Sequence, residues 1–296
     1  MNVWVAGARP RTLGAGVVPV LVGTAAADAF VAWRFLAALV VALGLQVGVN
    51  YANDYFDGVR GVDAPGRLGP PRLVASGTAS PRAVLAAALA SIFVAGVAGL
   101  ALALATAPML ILFVGALALV AAFAYSGGPR PYAGLGLGEV MVFLFFGLMA
   151  TGGTAFVLTE TVPAAAWWCG VVLGFLAVAI LVANNLRDIP TDAATGKRTL
   201  AVRLGDGRTR TLYRACVAAA FATIVVGVSA FIVGERIGLT QWGLLGLVGW
   251  VPAIRPMEAV GEASGADLVP VLTGTAAVHA ATGLLLALGL LLARSA

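Results

Sequence analysis

The stretch VNYANDYFDGVRGVD, residues 49–63, ends an apolar run, FLAALVVALGLQVGV, that occupies residues 35–49. A helix needs roughly 20 mostly apolar residues to cross the hydrocarbon core of a bilayer, so this run predicts a membrane-spanning helix. Asparagine and aspartate side chains then crowd its end: Asn50, Asn53, Asp54, Asp57 and Asp63. We therefore expect a lipid-embedded helix that carries a cluster of carboxylates and amides at one end.

The composition of the whole chain also indicates a membrane protein. Of its 296 residues, 61% are hydrophobic and 10% are charged, and the mean hydropathy is +1.00. A soluble globular domain has about a quarter charged residues. Arg9 and Arg11 precede an apolar run longer than the core of a signal peptide, so we expect no cleavable leader. Cys169 and Cys216 lie in apolar stretches, which favours small core residues over a disulfide or metal pair.

Apolar runs of sufficient length recur along the chain and predict an all-α integral membrane protein with nine spans. We expect a single domain over residues 1–296, in which frequent glycine and alanine let the helices pack closely. The expected spans are residues 12–31, 35–54, 83–105, 108–126, 139–158, 164–186, 212–233, 239–254 and 268–293.

The basic residues are distributed unequally between the two sides that nine spans define. Fifteen of the 18 fall on the side of the N-terminus, and the other three are Arg34, Arg236 and Arg294. The positive-inside rule then places the N-terminus and the loops at 57–82 and 187–211 in the cytoplasm, as in a multi-pass protein of the cell membrane. The net charge of +5 resides in these short loops without interleaved stacking aromatics, which argues against nucleic acid as a partner.

A second polar cluster lies at the matching end of the sixth span, in NNLRDIPTDAATGKRTLAVRLG, residues 184–205. Residues i and i+4 share a helix face, so Asn53 pairs with Asp57, and Asp188 pairs with Asp192 if the helix persists past Pro190. The spacing of 134 residues from Asp54 to Asp188 suggests an internal repeat of four helices, over roughly 12–126 and 139–254. If the two halves pack together, both clusters face one cavity open to the cytoplasm.

Carboxylate and amide oxygens of this kind suit Mg²⁺, which proteins typically bind with a few carboxylates together with substrate phosphates. Arg60, Lys197 and Arg198 follow the two clusters and are suited to phosphate oxygens. The pattern predicts a magnesium-bound diphosphate at the membrane surface, beside an apolar cavity for a lipid tail. Ordinary polar turns are the simpler alternative, but two clusters on one face disfavour it. A transporter or Mg²⁺ channel would place its charges nearer the bilayer midplane.

These motifs resemble those of the UbiA superfamily of intramembrane aromatic prenyltransferases, and most closely its 1,4-dihydroxy-2-naphthoate polyprenyltransferase (MenA-like) branch. The similar stretches are ARPRTL, PVLVG, NYANDYFDGVRGVD, YSGGPRPYAGLGLGE and NNLRDIPTDAATGKRTLAVRLG, spread over residues 8–205. One position departs from the general N-x-x-x-D-x-x-x-D spacing of the superfamily, since Gly61 stands where a third ligand would follow Asn53 and Asp57. Asp63 comes two residues later, a spacing that resembles the naphthoate branch.

The resemblance implies three sets of site residues. Two Mg²⁺ ions would be held by Asn53, Asp54, Asp57, Asp63, Asp188 and Asp192. The diphosphate would be held by Arg60, Lys197, Arg198 and Arg130, and the aromatic acceptor by Asn185, Arg187, Tyr132 and Glu139. The residues expected to carry catalysis are Asp57, Asp188, Asp192, Lys197 and Tyr125.

The reaction implied is transfer of a polyprenyl group from polyprenyl diphosphate to 1,4-dihydroxy-2-naphthoate, with loss of diphosphate and CO₂, to give demethylmenaquinol for menaquinone. An aromatic such as Tyr125, Tyr51 or Phe145 would stabilise the prenyl cation. Glu139 has two open interpretations, a helix N-terminal charge or a proton-handling group. His279 is expected to be a packed, hydrogen-bonded histidine. Other acceptors, such as 4-hydroxybenzoate or homogentisate, stay open, because the magnesium and diphosphate motifs do not discriminate among them.

Overall fold

The computed structural model of the chain describes residues 2–61, 72–128, 131–234 and 238–295, and over these ranges it is helical without strands, as the sequence predicts. Short helices cover Val3–Gly7 and Leu200–Leu204, and 3-10 turns cover Tyr132–Leu135 and Gly265–Asp267. The long helical segments are α1 (Pro10–Ala26), α2 (Ala32–Val59), α3 (Pro81–Ala105), α4 (Pro108–Ser126), α5 (Gly138–Thr159), α6 (Ala164–Ala194), α7 (Asp206–Ile232), α8 (241–259) and α9 (Leu268–Ser295).

Seven segments in the described part of the chain are long and apolar enough to cross a membrane, namely α2 to α7 and α9. The other two segments, α1 and α8, do not meet both requirements, for different reasons. α1 has only 17 residues. α8 begins as a 3-10 helix over Gln241–Gly249 and becomes α-helical only at Trp250, in a stretch where three glycines weaken the helical preference. The chain is therefore a multi-pass membrane protein.

The centre of the bundle is α6, which packs against α5, α7 and α9. Its Val172, Leu173 and Leu176 have no exposed surface and belong to the largest buried apolar cluster. α5 approaches α6 through a stretch of π-helix, Phe143–Met149. Cys169 and Cys216 are both buried and unpaired, as the sequence predicts.

The helices that carry the two polar clusters have different main neighbours. α2 packs chiefly against α3, the helix that follows it, and α6 packs chiefly against α7, which likewise follows it. Each of the two helices that carry a polar cluster therefore packs mainly against the next long helix in the chain.

At the opposite end of α2, Arg34 joins three helices. Its guanidinium donates to the carbonyl oxygens of Ala105 at 2.8 Å, Val157 at 3.1 Å and Leu158 at 3.3 Å, and its Nη1 lies 3.8 Å from a carboxylate oxygen of Glu160. The last carbonyl groups of a helix have no intrahelical partner. Arg34 therefore satisfies the C-terminal ends of both α3 and α5.

We expect Arg34→Met to lower the unfolding temperature of the detergent-solubilised protein. The variant leaves carbonyl groups of two helix ends without a donor, which costs about 1–3 kcal/mol for each group that stays buried. Arg294→Met is the matched control, because Arg294 is exposed in the last turn of α9. Equal unfolding temperatures for the two variants, followed by light scattering or tryptophan fluorescence, would contradict the role of Arg34.

Candidate functional site

The polar end of α2 is anchored to the segment that precedes α1. Asn50 donates from Nδ2 to the carbonyl oxygen of Ala8 at 3.0 Å, and the Tyr51 hydroxyl donates to the carbonyl oxygen of Trp4 at 2.7 Å. α2 continues to Val59, five residues beyond the end of the predicted span, so Asn53 and Asp57 stand one turn apart within one helix. These contacts fix the helix turn from which Asn53 and Asp57 project.

Asp57 is the point where the two polar clusters meet. Its side chain is buried, and its Oδ2 lies 3.5 Å from Lys197 Nζ and 3.6 Å from Arg72 Nη2. Lys197 follows the second cluster and is 140 residues away in sequence. Two cations from two different loops thus converge on one carboxylate oxygen, and the loop that follows α6 reaches the end of α2.

The second cluster occupies the last turns of α6, which runs through Pro190 to Ala194. Because the helix persists past Pro190, Asp188 and Asp192 share one helix face at positions i and i+4, and both are buried. Arg187 pairs with its neighbour Asp188, with Nε 2.7 Å from Oδ1 and Nη2 2.9 Å from Oδ2. Arg187 also donates to Asn184 Oδ1 at 2.9 Å, so its guanidinium holds this end of α6 together.

The oxygen atoms of the site fit Mg²⁺. Asn53 Oδ1 is buried and has no hydrogen-bond partner among the residues that the structure describes, and Asn53 lies one helix turn from Asp57. A buried polar atom without a partner is costly, so a ligand there is favourable. Among the residues that the structure describes, no three aspartate, glutamate, histidine or cysteine side chains could hold an ion by themselves. Mg²⁺ typically takes only one or two carboxylates from a protein and binds waters and substrate phosphate oxygens besides.

Four predicted residues form a second group beside the carboxylates. Glu139, buried in the first turn of α5, accepts a hydrogen bond from Asn185 Nδ2 at 3.0 Å. The rings of Tyr125 and Tyr132 meet edge to face with centroids 5.4 Å apart. Burial raises the pKa of Tyr132 to about 12, so its hydroxyl remains a neutral hydrogen-bond donor at physiological pH. This group offers a carboxylate, an amide and phenol hydroxyls to an aromatic ligand.

An apolar cavity lies beside the same end of α2. Its volume is about 570 Å³, and it opens between α2 and α4. The lining residues are Phe56, Leu119, Val120, Phe123, Ala124, Gly127 and Gly128. Val120 in its lining is 66% exposed, so the cavity is an open apolar groove rather than an enclosed chamber.

Other predicted site residues have different partners. Arg60 donates to the carbonyl oxygen of Ser126 at 2.6 Å and also to that of Gly128, and it stacks over Phe56. Asp54 accepts from two backbone N–H groups. Arg198 is exposed. Asp63 and Arg130 lie outside the described residues.

Arg72 is the site residue that sequence reasoning missed. In the sequence it counts only as one of fifteen basic loop residues, and no motif or spacing singles it out. In the structure it is buried and lies against Asp57. His279 is buried in α9 as expected, but its Nε2 has no hydrogen-bond partner within the described part of the chain.

Comparisons with known proteins match this fold and these motifs. A family model described as the UbiA prenyltransferase family matches residues 16–269. The 1,4-dihydroxy-2-naphthoate octaprenyltransferase of Mycobacterium tuberculosis is 48% identical over 280 residues, which cover 92% of this chain and 91% of that protein. The Escherichia coli protein of the same name is 38% identical, over 72% of each chain. A solved structure, a UbiA homolog from Archaeoglobus fulgidus bound to GPP and Mg²⁺, is similar in fold, with a TM-score of 0.61 at 15% identity over 96% of this chain and 99% of that one.

Proposed function

This chain belongs to the UbiA prenyltransferase family, and we propose that it transfers a polyprenyl group from polyprenyl diphosphate to 1,4-dihydroxy-2-naphthoate. Diphosphate and CO₂ leave, and the product is demethylmenaquinol, a precursor of menaquinone. The relatives at 48% and 38% identity carry the name of this activity. The contact between Lys197 and Asp57 is the observation that carries the proposal, because it joins the two polar clusters into one site for an anionic headgroup.

The diphosphate lies between the ends of α2 and α6. Asn53 and Asp57 would hold one Mg²⁺ and Asp188 and Asp192 a second, together with phosphate oxygens and water. Asp188 would bind the metal after the Arg187 side chain releases one of its two oxygens. Mg²⁺, when bound, neutralises the negative charge that grows on the departing diphosphate. Lys197 supplies positive charge from the protein at the same place, and its contact with Asp57 keeps the ammonium group directed into the site.

The acceptor lies against Glu139, Asn185, Tyr125 and Tyr132. Ionisation of the allylic C–O bond leaves a prenyl cation, and an electron-rich carbon of the naphthoate ring attacks it while its carboxylate leaves as CO₂. The hydrogen bond from Asn185 fixes the Glu139 carboxylate, which can take a proton from an acceptor hydroxyl group during the attack and return it to the same oxygen as CO₂ leaves. The aromatic faces of Tyr125 and Tyr132 stabilise the cation, and the apolar cavity beside Phe56 receives the polyprenyl tail.

The proposed orientation in the membrane follows from the distribution of lysine and arginine between the two sides. Nine helices span the cell membrane in this proposal, with α1 and α8 as shorter members, and the N-terminus and the site face the cytoplasm. The two halves, roughly 12–126 and 139–254, are repeats of one four-helix unit. The equivalent packing of α2 on α3 and of α6 on α7 supports this repeat.

The test is an assay of the purified protein with a panel of acceptors. With polyprenyl diphosphate and Mg²⁺, we expect 1,4-dihydroxy-2-naphthoate to give a prenylated, decarboxylated quinol, identified by mass spectrometry. Removing Mg²⁺ with EDTA should abolish turnover, and adding back excess Mg²⁺ should restore it. Turnover undiminished by EDTA would refute the magnesium assignment. Preference for 4-hydroxybenzoate or homogentisate would refute the proposed acceptor and leave prenyl transfer standing.

A further inference from the structure

Residues 72–79 form a compact turn that lies against the end of α2. The turn is closed by its own backbone hydrogen bonds, from Ser76 N to Arg72 O at 2.9 Å and from Ala79 N to Leu73 O at 3.0 Å. Leu73 is buried in an apolar cluster with Tyr51 and Ala52 of α2. The turn is therefore packed onto the same stretch of helix that carries Asn53 and Asp57.

Asp54 fastens this turn to α2. Its Oδ2 accepts from the backbone N–H of Leu73 at 2.9 Å, and its Oδ1 accepts from that of Val74 at 3.0 Å. Only 2% of Asp54 is exposed, so both hydrogen bonds lie away from competing water. Hydrogen bonds to an ionised carboxylate are about twice as strong as neutral ones. Both oxygens of Asp54 are thus engaged in holding a backbone segment.

The residue placed by this attachment is Arg72, which directly precedes the two backbone N–H groups held by Asp54. Its Nη2 lies 3.6 Å from Asp57 Oδ2, the oxygen that Lys197 approaches from the other loop at 3.5 Å. Arg72 is buried, so its position depends on the backbone of the turn rather than on a mobile side chain.

We propose that Asp54 is a positioning residue that holds Arg72 at the diphosphate subsite, and that it is not a metal ligand. Arg72 and Lys197 together contact the diphosphate from opposite loops, while the metal ligands on α2 are Asn53 and Asp57. The guanidinium fork of Arg72 is suited to two phosphate oxygens at once. This inference rests on the proposed function, and it separates two adjacent carboxylates, Asp54 and Asp57, that the sequence places in one metal-binding set.

The test compares Asp54→Asn, Arg72→Gln and the double variant in the full-length protein, with the wild-type reaction measured first. An asparagine amide presents an N–H₂ group to one of the backbone donors, so the turn is released and Arg72 is displaced. We expect each single variant to raise KM for polyprenyl diphosphate about tenfold, and the double variant to be no worse than Arg72→Gln alone, because one interaction is lost in all three. The Mg²⁺ concentration for half-maximal activity should stay within about twofold of the wild-type value.

Each of three results would overturn the inference. An increase of about tenfold or more in the Mg²⁺ requirement of Asp54→Asn would make Asp54 a metal ligand. Effects on KM that multiply in the double variant would show that Asp54 and Arg72 act independently. If Asp54→Asn does not fold, Arg72→Gln alone still tests the inference, because an unchanged KM for polyprenyl diphosphate in that variant would refute the role of Arg72. A wild-type protein without prenyl transfer would instead refute the proposed function.

Discussion

Asp57→Asn should reduce prenyl transfer by about a thousandfold or more, since the charge stabilisation that a metal site supplies amounts to several kcal/mol. The substitution keeps the shape of the side chain and removes its charge. Lys197 and Arg72 then face each other without the carboxylate that lies between them in the structure. The loss should appear in kcat, measured at saturating concentrations of both substrates and of Mg²⁺.

Asp206→Asn is the matched control for this prediction. The substitution is the same, but Asp206 lies at the start of α7, where its exposed carboxylate pairs with Arg210 of the same helix. We expect its activity to stay within about twofold of wild type, because an exposed ion pair contributes little. Activity of Asp57→Asn equal to that of Asp206→Asn would remove Asp57 from the site. Unfolding temperatures of both variants separate loss of catalysis from loss of folding.

Gly147→Ala should disrupt the packing of α5 on α6 and with it the folded protein. A Cβ at this position would lie 2.5 Å from Gly174 Cα and 2.6 Å from the carbonyl oxygen of Gly170, both of which are backbone atoms of α6. Backbone atoms cannot rotate away, so the two helices must separate. Overpacking of a core costs about 1–3 kcal/mol, and we expect a loss at or above the upper end, seen as a lower unfolding temperature and reduced yield.

Gly153→Ala provides the control in the same helix. Outside its own turn of helix, a Cβ at Gly153 lies within 4 Å of no atom of the described residues. Alanine is preferred to glycine in a helix by about 1 kcal/mol, so this variant should be at least as stable as wild type. The two substitutions are chemically identical and have opposite expected signs. Equal stability of the two variants would show that α5 and α6 are not in close contact at Gly147.

Much of the architecture could be predicted from the sequence because hydropathy is a local property. The runs that predict spans at 83–105 and 108–126 agree closely with α3 and α4. The polar helix ends are longer than predicted. α2 and α6 run on to Val59 and Ala194, past the point where the apolar residues stop, because packing in the bundle sustains a helix beyond its lipid-embedded part.

Within the candidate site, the sequence could predict which residues share a helix face. Asn53 with Asp57, and Asp188 with Asp192, follow from the i, i+4 rule on continuous helices. The prediction that Asp54 belongs with the metal ligands used the same proximity in sequence. In the structure, the two carboxylate oxygens of Asp54 accept hydrogen bonds from the backbone N–H groups of Leu73 and Val74. These residues are 19 and 20 positions away in sequence, so no helical periodicity predicts the contact.

The sequence by itself thus determined the membrane-embedded helical fold, the two polar helix ends and the family, since each depends on local hydropathy or on a contiguous motif. Only the tertiary structure decided which side chains meet, namely Lys197 and Arg72 at Asp57, Asn185 at Glu139, and Arg187 at Asp188. The physical reason is that a buried charge must find its partner within a few ångströms. Which partner is within reach depends on how the loops fold back over the helix ends.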